Sequence, residues 1–518
     1  MSTGSGSSST FAETNIRPAG QINSMANRKS LPADVLKIAR ERLGFEALRP
    51  GQQEAVEALL QGRDTLVVQP TGAGKSAIYQ IAGLMIKGVT VVISPLIALQ
   101  KDQVDSIHSQ NSAEAVVVNS QQRAAEQRET MERIDEGEVE YIFLAPEQLR
   151  RQETMDRLDA AGVSLFVVDE AHCITEWGHD FRPDYLQIAP TIERLGHPVV
   201  LAMTATAAPD VRQEIIERLG MRDPHVLVQG FDRPNIYLRV DHFETENEKM
   251  DALIKRVNWA EKPGIVYVGT RKNAEQIMSS LQEEGSRALF YHAGLKPKER
   301  EYIQDQFMGG EADAIVATNA FGMGVDKADI RFVYHYDISG SLDAYYQEIG
   351  RAGRDGEKSE AVLFYRNANV GTQKFRTGQG KLDAGQIRSV VEAVAKEDGP
   401  VPQEQVAGSV ELSGRKVTSA LHRLEDAGAV EVLPTGEVRL TQNIDLDEAV
   451  QSAAEGQQKH QELRRRKLLQ MQEYADASTC RREILLRYFG DEFHGPCGNC
   501  DNCKGSASAG AGTRREVA

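Results

Sequence analysis

The chain has 518 residues, of which 41% are hydrophobic and 26% charged, and its formal net charge is −16 at pH 7. Length and composition predict a globular protein of roughly three to four domains. They exclude a membrane-spanning protein, because no apolar run reaches the roughly 20 residues that a bilayer requires. The acidic balance also excludes a surface coated with basic residues, although a local groove remains open to nucleic acid.

Five cysteines are present, and four of them fall within residues 480–503. This crowding favours metal binding in a reducing compartment over a disulfide framework. The Ser/Gly-rich residues 1–10 lack the apolar core of a secretory signal. We therefore expect a cytoplasmic protein without membrane association, with disordered tails at residues 1–30 and 505–518.

From residue 31 onward, short apolar runs of β type alternate with amphipathic stretches. This alternation is typical of βαβ units that form a parallel sheet covered on both faces. We predict one α/β lobe over residues 31–229 and a second over residues 230–370. The predicted strands are residues 65–69, 89–94, 115–119, 141–145, 164–169 and 199–204, then 264–268, 288–292, 314–318, 332–336 and 361–365.

A glycine-rich turn, Gln69-Pro-Thr-Gly-Ala-Gly-Lys-Ser76, separates the first apolar run from a segment predicted to be helical. Such a turn points main-chain N–H groups and the positive end of a helix dipole at an anion. Lys75 can reach the β- and γ-phosphates of a nucleotide, and Ser76 can hold Mg²⁺. Gln69 stands where the strict pattern has Gly. The predicted nucleotide-binding residues of this turn are Thr71, Gly72, Ala73, Gly74, Lys75 and Ser76.

An acidic motif, Phe166-Val-Val-Asp-Glu-Ala-His172, follows a predicted strand. The carboxyl end of a parallel strand is where a Mg²⁺-holding carboxylate belongs in nucleotide-hydrolysing folds. We predict that Asp169 holds Mg²⁺ and that Glu170 orients or deprotonates the attacking water. The alternative is a solvated acidic turn after a buried strand.

With this motif the chain resembles superfamily 2 helicases, and further motifs are similar to those of RecQ-family DNA helicases. The resemblance covers roughly residues 31–370 and implies two tandem RecA-like lobes. It also implies ATP, Mg²⁺ and Zn²⁺ as cofactors of the protein. It implies 3′ to 5′ unwinding of duplex DNA in repair or recombination, with single-stranded DNA and 3′-tailed duplex as partners. We expect a monomer, and single-strand-binding or repair proteins stay open as partners. The motifs are residues 44–52, 94–104, 173–183, 202–207, 291–294, 317–325 and 347–356.

These motifs predict the nucleotide contacts of both lobes. The Gln52 amide can hydrogen-bond both edges of adenine, Phe45 can stack on the base, and Arg49 can add a polar contact. A core position for Phe45 and a surface charge for Arg49 are the alternatives. In the second lobe we favour Arg354 as the arginine finger and Arg351 as its partner, which would tie hydrolysis to lobe closure. The predicted catalytic residues are Lys75, Asp169, Glu170, His172, Gln347, Arg351 and Arg354.

The loop after the acidic motif is rich in aromatic residues. Aromatic rings stack on unpaired bases and Arg binds phosphate, although a packed loop core is the alternative. The resemblance implies that this loop couples DNA binding to ATP hydrolysis, and it further implies relay residues and contacts to the DNA backbone. These residues are Trp177, Phe181 and Arg182 in the loop, Thr204 and Thr206 as relays, and Ser94, Thr270 and Thr318 as backbone contacts.

A winged-helix-like α+β domain is predicted over residues 386–445, after a linker at residues 371–385. Its third helix carries Arg415, Lys416 and Arg423, so contact with DNA and contact with protein both stay open. The predicted elements are helices around residues 387–394, 402–410 and 413–424 and a hairpin over residues 430–440.

The last predicted part, residues 446–504, is a helical zinc-binding module. Four thiolates within two dozen residues fit a closed, structural Zn²⁺ site, with redox cysteines as the alternative. Residues 480–490 and the terminal cysteines are similar to the RecQ zinc module, whereas Cys173 is predicted to be a buried, inert thiol. The predicted zinc ligands are Cys480, Cys497, Cys500 and Cys503.

The order of the last two parts departs from the family pattern. RecQ proteins commonly place a winged helix after the zinc module, whereas this sequence places one before it. We expect no further winged helix or helicase-and-RNase-D-type domain after Cys503, which leaves the strand-separating element open. Two alternative functions therefore stay open: an ATP-gated DNA-binding translocase or remodeller without productive unwinding, and an RNA helicase.

Overall fold

The computed structural model describes residues 31–504 except residues 96, 111, 120–121, 123, 176–182, 323–326, 369–370, 372–381, 434–436 and 442–443. These residues form two parallel sheets with helices, a small antiparallel sheet with helices, and a helical module at the end. The predicted fold class, two RecA-like lobes followed by a winged-helix-like domain and a zinc-binding module, is confirmed. The predicted tails lie outside the described residues.

Strands in both lobes are short and mostly apolar, as buried parallel strands are. Lobe 1 contains β1 Thr65–Val68, β2 Val89–Ile93, β3 Ala115–Val118, β4 Tyr141–Leu144, β5 Val163–Val168, β6 Val199–Thr204 and β7 His225–Val228. Lobe 2 contains β8 Ile236–His242, β9 Gly264–Tyr267, β10 Ala288–Tyr291, β11 Ala314–Ala317, β12 Phe332–His335 and β13 Ser359–Tyr365. The small sheet contains β14 Val401–Pro402, β15 Val430–Val432 and β16 Glu437–Leu440.

The strand order of lobe 1 is β3-β4-β2-β5-β6-β1-β7, and all of its strands pair in parallel. Their carboxyl ends share one edge of the sheet, where ligands bind in such folds. Because β5, β6 and β1 are neighbours, Asp169, Thr204 and the turn after Val68 meet at this edge. Lobe 2 has the order β10-β11-β9-β12-β13-β8 and is also parallel.

The sequence pattern does not predict β7 and β8, which are the strands at one edge of each sheet. β7 begins with His225, and β8 alternates apolar residues with Arg239 and Asp241. Polar or charged residues shorten their apolar runs, whereas β3 and β10, at the opposite edges, have continuous apolar runs and are predicted.

Helices cover the sheets and build the C-terminal part. Among the helices of the described residues, none combines the length and the apolarity needed to cross a bilayer. Lobe 1 contains Leu31–Leu43, Gln52–Leu60, Lys75–Met85, Ile97–Ser109, Ala124–Asp135, Gln152–Ala161, Ile188–Arg194 and Pro209–Leu219, with 3₁₀ turns at Pro146–Arg150, Ala171–Ile174 and Pro183–Gln187. Lobe 2 contains Glu246–Trp259, Arg271–Glu283, Pro297–Met308 and Leu342–Ile349. Ala384–Ala395, Gln403–Ser409, Gly414–Asp426, Leu446–Asp476 and Arg481–Tyr488 follow.

The apolar core occupies both faces of the lobe 1 sheet. In β1, Leu66 and Val68 pack into one buried cluster and Val67 into another, as the two-residue period of a strand requires. The first of these clusters continues through Phe231 to Phe489 in the C-terminal module. The two lobes and that module therefore share one continuous core.

The winged-helix-like domain has a core of its own, which includes Ile387, Leu421 and Leu424. Its sheet has the order β14-β16-β15 and is antiparallel. The first helix, Ala384–Ala395, begins inside the predicted linker, where the Asp383 side chain accepts from the Gln386 main-chain N–H at 2.8 Å. The turn of the hairpin lies outside the described residues.

The helix Leu446–Asp476 connects this domain to the rest of the protein. Its 31 residues give a length of about 46 Å at about 1.5 Å per residue. Ala449 and Val450 near its start pack into the winged-helix core, whereas Leu468 and Met471 near its end pack into the core shared by the two lobes. One rigid element thus contacts both parts.

Candidate active site and metal centre

The glycine-rich turn after β1 has the backbone geometry of a phosphate cradle. Gly72 and Gly74 have φ angles of +84° and +83°, which residues with a Cβ rarely adopt. Gly74 caps the start of the helix Lys75–Met85. A Cβ at Gly74 would also lie 2.6 Å from Gln52 Nε2, so a larger residue would displace the Gln52 amide as well.

Lys75 lies at the centre of the charged groups. Its Nζ donates to the main-chain oxygens of Gln69 at 2.9 Å and Pro70 at 3.3 Å. Burial lowers the pKa of Lys75, the charges of Glu170 and Asp169 oppose this shift, and Arg354 adds to it. The ammonium group is therefore within electrostatic reach of both predicted carboxylates and of one predicted arginine.

The predicted adenine-binding residues contact the glycine-rich turn. Buried Gln52 donates from Nε2 to Gly74 O at 2.8 Å, and its Oε1 accepts from the Arg49 main-chain N–H at 2.7 Å. The Arg49 guanidinium donates to Gly72 O. Phe45 is half-buried and packs against the lobe 1 core. Contact of these three side chains with adenine stays a prediction.

Gln69, where the strict pattern has Gly, connects three segments of lobe 1. Its Nε2 donates to Pro50 O at 3.2 Å and lies 3.4 Å from Gln229 Oε1. A Cβ at Gly51 would fall within 2.8 Å of both glutamine side chains. The side chain thus points away from the phosphate cradle and holds the segment that carries Gln52, which explains why glycine is dispensable at this position.

Asp169 follows β5 and is half-buried beside a second carboxylate. It accepts from the Glu170 main-chain N–H at 2.9 Å and interacts with Ser94. Burial raises the pKa of Asp169 to about 7, the Glu170 charge adds to this shift, and Lys75 opposes it. A half-buried carboxylate pair of this kind, with a hydroxyl nearby, suits a hard cation that takes oxygen ligands.

Glu170 has the strained backbone that recurs at functional sites. Its φ is +48°, an uncommon value for a residue with a side chain. Among the described residues, none hydrogen-bonds to its buried Oε2 atom. This oxygen lies 3.3 Å from His172 Nδ1. A buried acceptor to which no described residue donates a hydrogen bond is suited to orient a water molecule.

His172, Thr204 and Thr206 form a chain of polar contacts beside the carboxylates. All three are buried, and His172 Nδ1 lies 2.9 Å from Thr204 Oγ1. Thr204 Oγ1 donates to Thr206 O at 3.1 Å. The structure therefore brings both predicted relay residues to the acidic motif. Cys173 is buried as predicted.

Lobe 2 brings an arginine to the phosphate cradle. A Cβ built on Gly72 would lie 3.5 Å from Arg354 Cδ, and Arg354 also acts on the pKa of Lys75. Buried Arg351 instead packs within lobe 2, beside Tyr267 and Gly322. This placement favours Arg354 as the finger, and both roles stay predictions. Gln347 is half-buried on the helix Leu342–Ile349.

The predicted DNA-binding residues are only partly described. Trp177, Phe181 and Arg182 lie outside the described residues. Ser94 is buried beside Asp169, and Thr318 is buried at the end of β11. Thr270 caps the helix Arg271–Glu283 by accepting from Asn273 N at 3.0 Å. Their contacts with DNA stay predictions.

The four C-terminal cysteines form one cluster. Their sulfur atoms all lie within 4.8 Å of one another, and Cys497 Sγ is 3.9 Å from Cys503 Sγ. A tetrahedral zinc ion with about 2.3 Å bonds needs sulfur atoms about 3.8 Å apart. Main-chain N–H groups of Asn499 and Cys503 point to Cys497 and Cys500 sulfurs at 3.4 Å each. The cluster fits a closed Zn²⁺ site.

Several contacts that no sequence pattern predicts connect the C-terminal parts to the lobes. Leu238 of β8 pairs with Cys500 in a β-bridge, so the metal cluster lies against the edge of the lobe 2 sheet. Arg150 of lobe 1 contacts Glu425 Oε1 and Val432 O of the winged-helix-like domain at 3.1 Å each. Such contacts join residues hundreds of positions apart, for which periodicity and spacing carry no signal.

Comparison with known proteins agrees with this geometry. Residues 49–215 match the model of the DEAD/DEAH box helicase family, residues 248–356 that of the helicase conserved C-terminal domain, and residues 438–504 that of the RecQ zinc-binding domain. Among solved structures, a Mycobacterium smegmatis Lhr helicase bound to ssDNA and AMP-PNP shares the fold. Its TM-score is 0.52 at 20% identity, over 83% of this chain and 62% of that one.

Two relatives match most of the chain. It is 35% identical, over 89% of its length, to the probable ATP-dependent DNA helicase RecS of Bacillus subtilis, of which it covers 90%. It is 35% identical, over 91% of its length, to the ATP-dependent DNA helicase RecQ of Pasteurella multocida, and spans less than two thirds, 62%, of that relative. With two helicase lobes and a RecQ-type zinc module in one chain, the protein belongs to the RecQ family of ATP-hydrolysing helicases.

Proposed function

We propose that the protein is a DNA helicase that unwinds duplex DNA from 3′ to 5′ in repair or recombination. The observation that carries the proposal is the approach of Arg354 from lobe 2 to Gly72 and Lys75 of lobe 1. Two lobes that share one phosphate site can convert hydrolysis into relative motion. The relatives with this architecture are named DNA helicases.

We assign the steps of hydrolysis to this chain's own residues. The glycine-rich turn and Lys75 hold the phosphates of ATP. Ser76 and Asp169 would hold Mg²⁺, which supplies charge neutralisation at the phosphates when bound. Glu170 orients the attacking water through its buried Oε2 atom. Arg354 stabilises the charge that develops on the γ-phosphate, with Arg351 and Gln347 as its neighbours in lobe 2.

Coupling to DNA is proposed to run through the segment that follows the acidic motif. That segment contains Trp177 and Phe181, whose rings suit stacking on unpaired bases. In the sequence, His172 lies between the carboxylates and this segment, and its Nδ1 contacts Thr204 Oγ1. DNA bound at the loop would thereby alter the position of Glu170, and Ser94, Thr270 and Thr318 would contact the DNA backbone.

The C-terminal parts are proposed to have separate tasks. Zn²⁺ held by the four cysteines stabilises the module at residues 446–504, since a site with four protein ligands has no open position for catalysis. The domain at residues 386–445 offers Arg415 and Lys416 to DNA or to a partner protein. We further propose a monomer that works in the cytoplasm, where thiols stay reduced.

The discriminating experiment is ATP turnover with single-stranded DNA and with RNA of the same sequence and length. We expect single-stranded DNA to stimulate turnover strongly and RNA weakly. Equal stimulation by RNA would favour an RNA helicase. Absence of stimulation by either would return the loop that contains Trp177 to a packing role.

A further inference from the structure

Arg212 connects lobe 1 to the zinc-bearing module. It lies on the helix Pro209–Leu219, directly after the segment that contains Thr204. Its Nε donates to Ala207 O at 2.9 Å, and its terminal Nη2 donates to Phe489 O in the module. One planar guanidinium thus binds carbonyls that are 282 positions apart in the chain, by the difference of their numbers.

The main chain of the two parts approaches closely at this point. Gly490 has a φ of +82°, and a Cβ there would lie 3.1 Å from Pro209 Cγ. Arg212 also lies over the Phe231 ring, with 5.8 Å between Cζ and the ring centroid. The contact is therefore a packed junction rather than an exposed surface pair.

The aromatic ring of Phe489 continues the junction into lobe 2. It is fully buried and stacks on Phe231, in the connector between the lobes, with centroids 4.6 Å apart and 9° between planes. It also contacts Tyr346 at 4.7 Å. Tyr346 precedes Gln347 on the same helix, and its hydroxyl donates to Phe231 O.

The module itself is fixed to lobe 2 by buried polar contacts. Asp343, on the helix that carries Gln347, accepts from Lys467 Nζ at 3.0 Å and from Tyr488 Oη at 2.6 Å. Arg482 donates to Asp232 Oδ1 at 2.7 Å and to Ile236 O at 2.8 Å. Charge-assisted bonds of this kind are strong when they are removed from water. The module therefore moves with lobe 2.

We propose that Arg212 is a positioning residue for ATP hydrolysis, which holds the zinc-bearing module, and with it lobe 2, in register with the acidic motif of lobe 1. The proposal rests on the helicase function given above. It adds the zinc-bearing module to the two lobes as a part that takes part in ATP hydrolysis. Arg212 touches neither nucleotide nor reacting atoms. It acts because Ala207, whose carbonyl it binds, follows Thr206 in the relay beside Glu170 and His172.

Through the module and lobe 2, this junction affects the position of the arginine finger, Arg354. If Arg212 releases Phe489, the module and the helix that carries Gln347 are free to shift relative to Lys75. A misplacement of about 1 Å at a reacting centre lowers turnover by as much as about a hundredfold. ATP binding, which depends on Gln52 and the glycine-rich turn within lobe 1, is expected to be preserved.

The test is steady-state ATP turnover of the full chain with saturating single-stranded DNA. Arg212→Ala should lower kcat at least about tenfold, leave the KM for ATP within about twofold, and keep about one zinc per chain. Gln213→Ala is the matched control, because exposed Gln213 lies on the same helix and its Nε2 donates to Glu217 Oε1 at 2.7 Å. It should behave as the unmodified protein.

A second variant tests the proposal in case the Arg212→Ala protein does not fold. Phe489→Leu keeps an apolar side chain at the junction but removes the stack on Phe231, and it should lower kcat with the KM preserved. Unchanged DNA-stimulated kcat in a folded Arg212→Ala protein, or in Phe489→Leu where Arg212→Ala does not fold, would overturn the proposal.

A double-mutant cycle distinguishes positioning from a merely structural role, because it measures whether two substitutions affect kcat independently. Arg212→Ala and Arg354→Lys should lower kcat less together than the product of their single effects, since both act on finger placement. Independent effects would overturn the proposal. Absence of DNA stimulation in the unmodified protein would instead contradict the proposed helicase function.

Discussion

Four charged side chains from three distant segments meet at the phosphate cradle: Lys75, Asp169, Glu170 and Arg354. Their residue types follow from the chemistry of phosphoryl transfer, which needs cations at the phosphates and a carboxylate for the metal. Short motifs therefore predict them from sequence. Residues that hold the glycine-rich turn in place, such as Gln229 beside Gln69, lie outside any motif and are visible only in three dimensions.

The pH dependence of turnover follows from Asp169. Burial and then the Glu170 charge raise its pKa to about 7, and a cation binds only the ionised carboxylate. Turnover at limiting Mg²⁺ should rise as the pH increases through about 7, and higher Mg²⁺ should shift the midpoint to lower pH. A pH profile at two Mg²⁺ concentrations measures this shift, and an unmoved midpoint would count against Asp169 as the metal ligand.

The raised pKa of Asp169 has the opposite effect on the stability of the fold: turnover rises with pH, whereas stability falls. The fold favours the neutral form, so the stabilisation that Asp169 contributes is present at low pH and is lost as the pH rises through about 7. A group that is costly to ionise in the fold is typical of a functional site. It marks Asp169 as selected for catalysis rather than for stability.

Substitutions of the two arginines of lobe 2, Arg354 and Arg351, should have different effects on turnover and on thermal stability. Arg354→Ala should lower kcat by on the order of 10³ while the melting temperature is preserved, because its side chain crosses to Gly72. Arg351→Ala should lower the melting temperature as well, because it is buried beside Tyr267. Turnover and thermal unfolding of both variants measure this difference. The reverse pattern would exchange the two assignments.

Among elements, central strands and amphipathic helices could be predicted from sequence, whereas contacts between elements could not. The apolar run of β1 and the period of Ile387 and Val391 are local signals of burial. β7 and β8 lack such a signal because polar or charged residues shorten their apolar runs. The helix Leu446–Asp476 is polar over much of its length, and its two packing ends are evident only in the fold.

Removal of the metal should detach the C-terminal module. Cys500 is fully buried and pairs with Leu238 of lobe 2, so Cys500→Ser should abolish zinc binding and lower the melting temperature. Cys173→Ser, a buried thiol outside the cluster, should keep about one zinc per chain. Zinc release on denaturation and thermal unfolding are the measurements. One zinc per chain in Cys500→Ser would overturn the ligand assignment.

Docking of the winged-helix-like domain should depend on Arg150. Its side chain contacts Asp184 at 3.3 Å in lobe 1 and Glu425 at 3.1 Å in the docked domain. Arg150→Ala should free the domain and enlarge the radius of gyration, which small-angle scattering measures. Arg151→Ala, at the exposed neighbouring position, is the control and should leave the radius unchanged. Equal radii for both variants would show that other contacts hold the domain.

At the scale of the whole molecule, the zinc-bearing module packs against both lobes, and the winged-helix-like domain contacts lobe 1. Family motifs predicted the two lobes and the metal ligands because each motif carries its own chemistry. They did not predict that Arg212 and Phe489 close a junction between the lobes, since main-chain carbonyls serve as acceptors in any sequence. The order of domains was predicted, but not their docking.

The most direct test of the central claim is strand separation with ATP and Mg²⁺ on duplexes that carry a 3′ tail, a 5′ tail or no tail. We predict unwinding of the 3′-tailed duplex alone, and none by Lys75→Ala protein, which should still bind DNA. DNA-stimulated ATP turnover without separation of any duplex would contradict the helicase assignment. That result would favour a translocase or remodeller, in which the winged-helix-like domain docked through Arg150 does not separate strands.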